Sequence, residues 1–322
     1  MSDLIVRAID RAAGLRVVCA VTTDLAREAA RRHEVEGLGA CALGRALTSS
    51  LLLATLTKGG ERVTLQVRGD GPMGGVTADA TDGGDVRGYL LAPEMARRSC
   101  EGRGRVVEVL GRHGVVNVLR DLGLLGSPPK DGGAVGPQIG RYQGQVALLT
   151  GEIDEDVEGY LRTSEQIPSA LGCDVLVEGD AVSGSAGVLV QQLPEALAGR
   201  PIAEDRTEAD RVMREAQHAL RVGVVWELLR SGERSPRAFA EAVCGRPLEV
   251  LDERPLRWQC RCSIERVEQS LELLSTIDLD EIIAHPGHAE VTCNFCNERY
   301  VVDKARLEVV RAAVAHGPRG RN

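Results

Sequence analysis

The sequence predicts an α+β protein: a sheet-rich N-terminal body with packed helices, a helical middle linker and a small C-terminal module. Three observations predict this organisation. Short apolar runs separated by Gly- and Pro-rich turns fill residues 1–193, polar and charged character with helical periodicity begins at Pro194, and four of the nine cysteines gather near the C-terminus. The expected domains are therefore residues 1–193, 194–257 and 258–322.

The composition limits the classes of function. The chain has 322 residues, 43% of them hydrophobic, with a net charge of −8, which argues against a protein that mainly binds nucleic acid. The N-terminus, MSDLIVRAID, lacks the features of a secretory signal, so we expect a cytoplasmic protein. In a reducing cytosol, metal-binding or catalytic cysteines are favoured over permanent disulfides.

The most apolar stretch, residues 37–57, predicts a buried helix and no membrane partner. Arg45, two glycines and several hydroxyl residues interrupt it, whereas a membrane span needs about 20 predominantly apolar residues.

The body is expected to contain mostly antiparallel strands and few helices. Asp24 is the expected cap of a helix over LAREAARRH, and Ile153, Val157, Tyr160 and Leu161 share one face of an amphipathic helix. A Gly/Pro-rich loop is expected from Gly123 to Gly140. The expected strands are LRVVCAVTT, VTLQVR, VTADA, VRGYLLA, RVVEVLG, GVVNVLRD, QVALLTG, CDVLVEG and SAGVLVQQL.

The GDGPMG segment, residues 69–74, fits the spacing of a dinucleotide-binding fingerprint. That fingerprint requires a helix to begin there, so that backbone amides converge on the pyrophosphate. Pro72 removes one amide donor and the following VTADATDGG is extended and turn-rich, so we expect a tight turn between two strands.

The linker is predicted to be helical. Residues 207–231 place Met213, Ala216, Leu220, Val224 and Leu228 on one stripe of a long helix. Ser235 and Pro236 are a good cap and first-turn pair for a short helix through Val243.

The C-terminal module contains two close cysteine pairs, Cys260 with Cys262 and Cys293 with Cys296, separated by thirty residues. A zinc ion takes four ligands at tetrahedral corners, and two such pairs supply them. Asn294 tolerates the backbone angles that such a turn often needs. His285 and His288 are interpreted as loop residues, because four thiolates already complete the coordination.

Further elements of the module are predicted around these pairs. Two helices, IERVEQSLELLS and DLDEIIA, are expected between the pairs, followed by a strand over 300–302 and a closing helix capped by Asp303. The five other cysteines lie singly in apolar stretches and are interpreted as buried structural residues: Cys19, Cys41, Cys100, Cys173 and Cys244.

The one-residue gap between Cys260 and Cys262 permits two chemistries. The two sulfurs are close enough to couple, though in a strained ring that would be easily reduced. Four thiolates on one zinc carry a net charge of −2 and are open to oxidants, and a module this small should lose most of its fold with its metal. The sequence therefore permits a switch between a reduced, metallated, folded state and an oxidised, metal-free, unfolded one.

Several motifs, in order along nearly the whole chain, resemble the bacterial redox-regulated heat-shock chaperone family, the thirty-three-kilodalton chaperonin. These motifs are VTLQVRGDGPMGGV, RYQGQVAL, YLRTSEQIPSAL and, above all, CRCS with CNFC. The resemblance implies an ATP-independent holdase with no catalytic residues. It also implies one Zn²⁺ per chain in the reduced, inactive form, held by the four cysteines of the two pairs.

The same resemblance implies what oxidation does. Disulfides Cys260–Cys262 and Cys293–Cys296 form, zinc is released, and the module and linker lose structure. The protein, a monomer when reduced, then dimerises and binds unfolding client proteins under stress. The linker stripe of Met213, Leu220, Val224 and Leu228 is the candidate client-binding or switch face. The alternative, a permanently packed helix face, stays open.

Two alternatives compete with the holdase. A zinc-ribbon nucleic-acid-binding protein would need basic surface near CNFCNERY, which supplies only one arginine and one glutamate. A thiol–disulfide oxidoreductase would place its C-x-x-C at the start of a helix after a strand, whereas this one lies between short extended segments. No plausible Ser-His-Asp set, nucleotide loop or carboxylate pair for other chemistry is present, so we expect no enzyme.

Overall fold

The computed structural model describes residues 3–57, 61–125, 138–193 and 206–316. The chain divides into two compact units, Met1–Gln259 and Cys260–Asn322.

The first unit combines two sheets with helices. Its strands, in chain order, are β1 (Leu4–Asp10), β2 (Leu15–Val21), β3 (Arg62–Gly69), β4 (Gly75–Thr81), β5 (Asp85–Leu90), β6 (Gly114–Leu125), β7 (Gln138–Ala147), β8 (Ser169–Glu178), β9 (Ala181–Gln192), β10 (Glu249–Pro255) and β11 (Arg257–Trp258). Its α-helices are α1 (Thr23–His33), α2 (Gly37–Ala54), α3 (Val107–Leu110), α4 (Ile153–Thr163), α5 (Arg206–Val222), α6 (Val224–Arg230) and α7 (Pro236–Cys244), and a 3₁₀ helix spans Pro93–Ala96.

The two sheets are almost entirely antiparallel. The first has the order β10-β1-β2-β9-β8, and the second has the order β11-β5-β4-β3-β6-β7 with only β11 parallel to its neighbour. The centre of the first sheet is buried on both faces, because alternate residues of β2 enter two different cores. Val18 and Ala20 join one core, while Val17 and Cys19 join the other.

Helix α2 forms the centre of the first core. It packs against strands of both sheets and all its residues are buried, as its largely apolar character predicts. Gly44 permits this close packing, since a Cβ there would lie 2.8 Å from Val175 Cγ2. By length and composition α2 could cross a membrane, yet it is wholly buried inside the protein, as a core helix would be.

Helices α5, α6 and α7 cover the other face of the first sheet and enclose the second core. Two sheet glycines make room for linker leucines. A Cβ at Gly172 would lie 3.0 Å from the Leu220 side chain, and one at Gly184 would lie 3.0 Å from Leu229 Cδ2.

The structure corrects the predicted long helix over 207–231. Gly223, at a φ of +90°, ends α5 and begins α6. The phase of the buried face shifts by one residue at this break. Val225 and Leu229 are therefore buried in the second core, while the predicted Val224 and Leu228 are half-buried at its edge.

Three other local expectations were wrong. RVVEVLG contains the short helix α3 rather than a strand. Asp24 does not cap α1; the carboxylate of Asp3 instead accepts hydrogen bonds from the backbone N–H groups of Asp24 and Leu25. Strands β6 and β7 extend into the ends of the loop expected over 123–140, and its remaining residues, 126–137, lie outside the described ranges.

The predicted turn at GDGPMG and the predicted cap of α7 are confirmed. The β3–β4 hairpin turns between Gly69 and Gly75. The side chain of Ser235 accepts a hydrogen bond from the backbone N–H of Ala238.

The second unit consists of α8 (Ile264–Leu271), α9 (Thr276–Ala284), β12 (His288–Thr292), β13 (Arg299–Asp303) and α10 (Lys304–Ala315). Strands β12 and β13 form an antiparallel hairpin. Ser263, Ser275 and Asp303 cap the three helices, the last as predicted. The core of this unit contains few buried side chains: Val267, Leu271, Leu279, Val302, Leu307 and Val310.

Candidate metal centre

A tight turn places Cys293 and Cys296 between β12 and β13. The backbone N–H of Cys293 donates to the carbonyl of Glu298, and that of Asn297 donates to the carbonyl of Cys293. The left-handed residue of this turn is Asn297, at a φ of +59°, and not Asn294 as expected from the sequence.

Cys260 and Cys262 lie just before α8, on a segment that is neither helix nor strand. The helix begins after Ser263, whose side chain accepts a hydrogen bond from the Arg266 N–H. The segment ahead of this cap brings both sulfurs to the hairpin turn.

The four sulfurs of Cys260, Cys262, Cys293 and Cys296 all lie within 4.8 Å of one another. The Sγ atoms of Cys260 and Cys293 are 3.7 Å apart, and those of Cys262 and Cys296 are 3.3 Å apart. Four ligands at about 2.3 Å from a tetrahedral zinc would be about 3.8 Å apart, so the cluster is suited to this ion. All nine cysteines of the chain are thiols in the structure.

Electrostatics at the cluster favour a cation. Burial is the main cause that raises the pKa of the Cys293 and Cys296 thiols, and in Cys296 the neighbouring thiols raise it further. A divalent ion would reverse this, because it stabilises the thiolate form. The chemistry of the donors therefore agrees with their geometry.

Tyr300 is a member of the site that the sequence reasoning missed. Its hydroxyl donates a hydrogen bond to Cys262 Sγ over 3.1 Å. The alternation of side chains along β13 could have revealed this role, because Tyr300 lies on the same inward face as buried Val302. Such a donor fixes the sulfur and moderates its charge.

Neither predicted loop histidine, His285 or His288, belongs to the group of possible ligands found in the described part of the chain. His288 instead begins β12. Of the five other cysteines, Cys19, Cys41, Cys173 and Cys244 are buried as expected, but Cys100 is only half-buried. Met213 and Leu220 of the predicted switch face are buried in the second core of the first unit.

Comparisons with known proteins agree with this arrangement. The Hsp33 protein family matches residues 3–303 of the chain. The 33 kDa chaperonin of Bacillus subtilis (strain 168) is 32% identical over 311 residues, covering 96% of this chain and 98% of its own. That of Geobacter sulfurreducens is 36% identical over 313 residues, covering 97% and 95%.

A solved structure is also similar. The crystal structure of the 33 kDa chaperonin (heat shock protein 33 homologue) from Thermotoga maritima has a TM-score of 0.80 and 27% identity, covering 98% of this chain and 99% of its own. The relatives are named as chaperonins and not as enzymes. The match over nearly the whole length shows that this chain belongs to the Hsp33 family of chaperones.

Proposed function

We propose that the protein is a redox-regulated, ATP-independent holdase that binds one Zn²⁺ per chain and is inactive when reduced. The observation that carries this proposal is the cluster of four cysteine sulfurs, within 4.8 Å of one another, in a small separate unit. Bound zinc supplies the positive charge that holds four thiolates together. Oxidants convert the pairs to disulfides Cys260–Cys262 and Cys293–Cys296, each pair losing two protons and two electrons.

The arrangement of the sulfurs makes oxidation and metal binding mutually exclusive. Two of the short distances, 3.7 and 3.3 Å, join Cys260 to Cys293 and Cys262 to Cys296, so each sulfur also contacts a sulfur of the other pair. A disulfide needs its sulfurs about 2.0 Å apart, so a bond within each pair draws the sulfurs out of the tetrahedral arrangement. The oxidised sulfurs also lack the charge that ligation requires.

Loss of the metal should unfold the second unit. In the described part of this unit, residues 260–316, the core contains six well-buried apolar side chains, and domains of this size are marginally stable without added cross-links. Zinc binding to comparable small modules contributes about 10–16 kcal/mol to folding. Because little else stabilises the unit, the redox state of four sulfurs controls its fold.

The linker supplies the surface for clients. Helices α5 to α7 bury their apolar face on the first sheet, and polar contacts at the edges of that face hold them in place. At the C-terminal end of α5, Arg103 donates to the carbonyls of Leu220 and Arg221, and Arg221 pairs with Glu158. Unfolding that begins at Cys260 would reach the linker helices along the chain through β11 and β10, which pair with β5 and β1.

Released from the sheet, these helices would expose the apolar face that includes Met213 and Leu220. We infer that this face binds unfolding proteins and that the active protein is a cytoplasmic homodimer, whereas the reduced protein is a monomer. ATP independence is supported by residues 69–74, which have the spacing of a dinucleotide-binding loop but form a hairpin turn with no helix to bind a phosphate. In it, the carboxylate of Asp70 accepts hydrogen bonds from the N–H groups of Arg112 and His113.

The test measures zinc content and suppression of aggregation on the same sample before and after hypochlorite treatment. We expect one zinc per reduced chain, its release on oxidation, and suppression of aggregation of a thermally unfolding protein only after oxidation. A Cys173→Ala variant, altered at a buried cysteine that lies in the first core and not in the core under the linker helices, is the matched control and should release zinc and suppress aggregation as wild type does. Oxidised, zinc-free protein that leaves aggregation unchanged would refute the proposal. Salt-dependent binding of nucleic acid would favour the zinc-ribbon alternative. One observation argues against that alternative: the arginine that follows the cysteines, Arg299, is already paired with Glu290.

A further inference from the structure

A second pair of cysteines lies in contact inside the first unit. The Sγ atoms of Cys41 and Cys100, 59 residues apart in the chain, are 2.9 Å from each other. This is shorter than the 3.3 and 3.7 Å that separate pairs of sulfurs in the four-cysteine cluster. Cys41 lies on α2 and is buried, whereas Cys100 is half-buried on the coil between the 3₁₀ helix and α3.

The surrounding structure holds the two sulfurs together. One turn along α2 from Cys41, the buried guanidinium of Arg45 donates hydrogen bonds to the carbonyls of Arg103 and Gly104 at 2.6 and 3.2 Å. Gly104 packs directly on the pair, because a Cβ there would lie 2.6 Å from the sulfur of Cys100 and 3.0 Å from that of Cys41. The coil that carries Cys100 is therefore fastened to α2 at the position of the pair.

The two thiols are also chemically unequal. A hydrogen bond from Cys41 is the main cause that lowers the pKa of Cys100, and the charge of Arg45 lowers it further. The same hydrogen bond, together with burial, raises the pKa of Cys41. The more exposed sulfur is therefore the better nucleophile, which is the arrangement of an attacking and a resolving cysteine.

We propose that Cys41 and Cys100 form a second redox site, which closes to a disulfide when the protein meets a peroxide. The sulfur of the Cys100 thiolate attacks one peroxide oxygen, forming an S–O bond as the O–O bond breaks, and the leaving hydroxide takes a proton to become water. The sulfur of Cys41 then attacks the Cys100 sulfenic acid. The S–S bond forms, the S–O bond breaks, and the released hydroxide leaves as water with the Cys41 proton. Two thiols lose two electrons and one peroxide becomes two waters.

This site is independent of the four-cysteine cluster, so it stands whether or not the zinc switch operates. Its disulfide would link the coil to α2 across a long loop of chain, which should raise the thermal unfolding midpoint of the first unit by several degrees. It should also slow hydrogen exchange of the backbone amides around residues 97–105.

The experiment treats the full-length, reduced, zinc-loaded protein with hydrogen peroxide, alkylates the remaining thiols and maps peptides without reduction. We expect a disulfide-linked pair of peptides containing Cys41 and Cys100. Cys100→Ser should abolish it without changing the release of zinc, and Cys244→Ala should leave it unchanged. If Cys41 and Cys100 are both recovered as alkylated thiols while disulfides have formed in the C-terminal module, the proposal is overturned.

A second variant tests the geometry while retaining both thiols. Gly104→Ala would place a methyl group against the two sulfurs and should slow formation of the Cys41–Cys100 link several-fold. Circular dichroism, measured before oxidation, would check that this variant is folded. A folded Gly104→Ala protein that forms the link at the wild-type rate would show that the observed packing does not bring the sulfurs together.

Discussion

Replacing Leu220 by alanine tests whether undocking of the linker activates the protein. Leu220 is 2% exposed on α5 and packs over Gly172 of β8. Truncating a buried leucine costs about 2–5 kcal/mol, and each 1.4 kcal/mol changes an equilibrium constant about tenfold. If this free energy is lost from the docking of α5 on the first sheet, the fraction of molecules with α5 undocked should rise between roughly 30-fold and a few thousand-fold. The variant should therefore suppress aggregation even when it is reduced and zinc-loaded.

The assay pairs two measurements on reduced protein. Hydrogen exchange reports whether the amides of α5 lose protection while those of α2 keep theirs, and light scattering reports aggregation of a thermally unfolding protein. Val222→Ala is the matched control, because Val222 is 59% exposed near the end of the same helix and should change neither measurement. If α5 loses protection in Leu220→Ala and aggregation still proceeds as with reduced wild type, the linker face is not the client-binding switch.

Three further predictions concern the cysteine cluster and a buried carboxylate. Cys296→Ser should remove hydrogen-exchange protection from residues 264–315 and leave the first unit protected, because the small core of the second unit cannot fold alone. Tyr300→Phe removes the hydrogen bond to Cys262 and should weaken zinc binding about 10–100-fold in competition with a chelator. Burial raises the pKa of Asp3 from 3.8 to about 6, so folding favours its protonated form and stability should fall as pH rises through that interval. In denaturant unfolding, the stability of Asp3→Asn relative to wild type should rise by up to about 3 kcal/mol between pH 4 and pH 7.

Each of these three predictions has a control variant or a result that would contradict it. Tyr142→Phe, on the first unit, should leave zinc affinity at the wild-type value. Retained protection of 264–315 in Cys296→Ser would mean that the second unit folds without its full ligand set. A stability difference between Asp3→Asn and wild type that is the same at pH 3.5 and pH 7 would show that ionisation of Asp3 is not its cause.

Much of the fold follows from local sequence pattern. LRVVCAVTT is almost wholly apolar because both faces of β2 are buried, and α2 carries apolar residues on every side because it is surrounded by protein. The turn at residues 69–74 follows from Pro72 and the extended residues after it. In each case the signal and its cause lie within one short segment.

The errors arose where distant residues compete with local pattern. RVVEVLG has the composition of a strand, yet Val106 and Val107 donate their N–H groups to the carboxylate of Glu152, which stabilises the start of α3. Asp24 was expected to cap α1, but the helix begins at Thr23, and Asp3, just before β1, accepts hydrogen bonds from the N–H groups of its first turn. The stripe over 207–231 changed phase because Gly223 breaks the helix at a point that the apolar pattern does not reveal.

The sequence by itself determined the candidate metal ligands and the family, because cysteine spacing and short motifs are local properties that survive in the bare chain. Only the tertiary structure decided which residues support those ligands and which cysteines meet. Tyr300 reaches Cys262 because strand alternation turns it inward, and Cys41 meets Cys100 because the coil before α3 is fastened to α2. Contacts between residues far apart in the chain depend on packing, and nothing in the spacing of single cysteines encodes it.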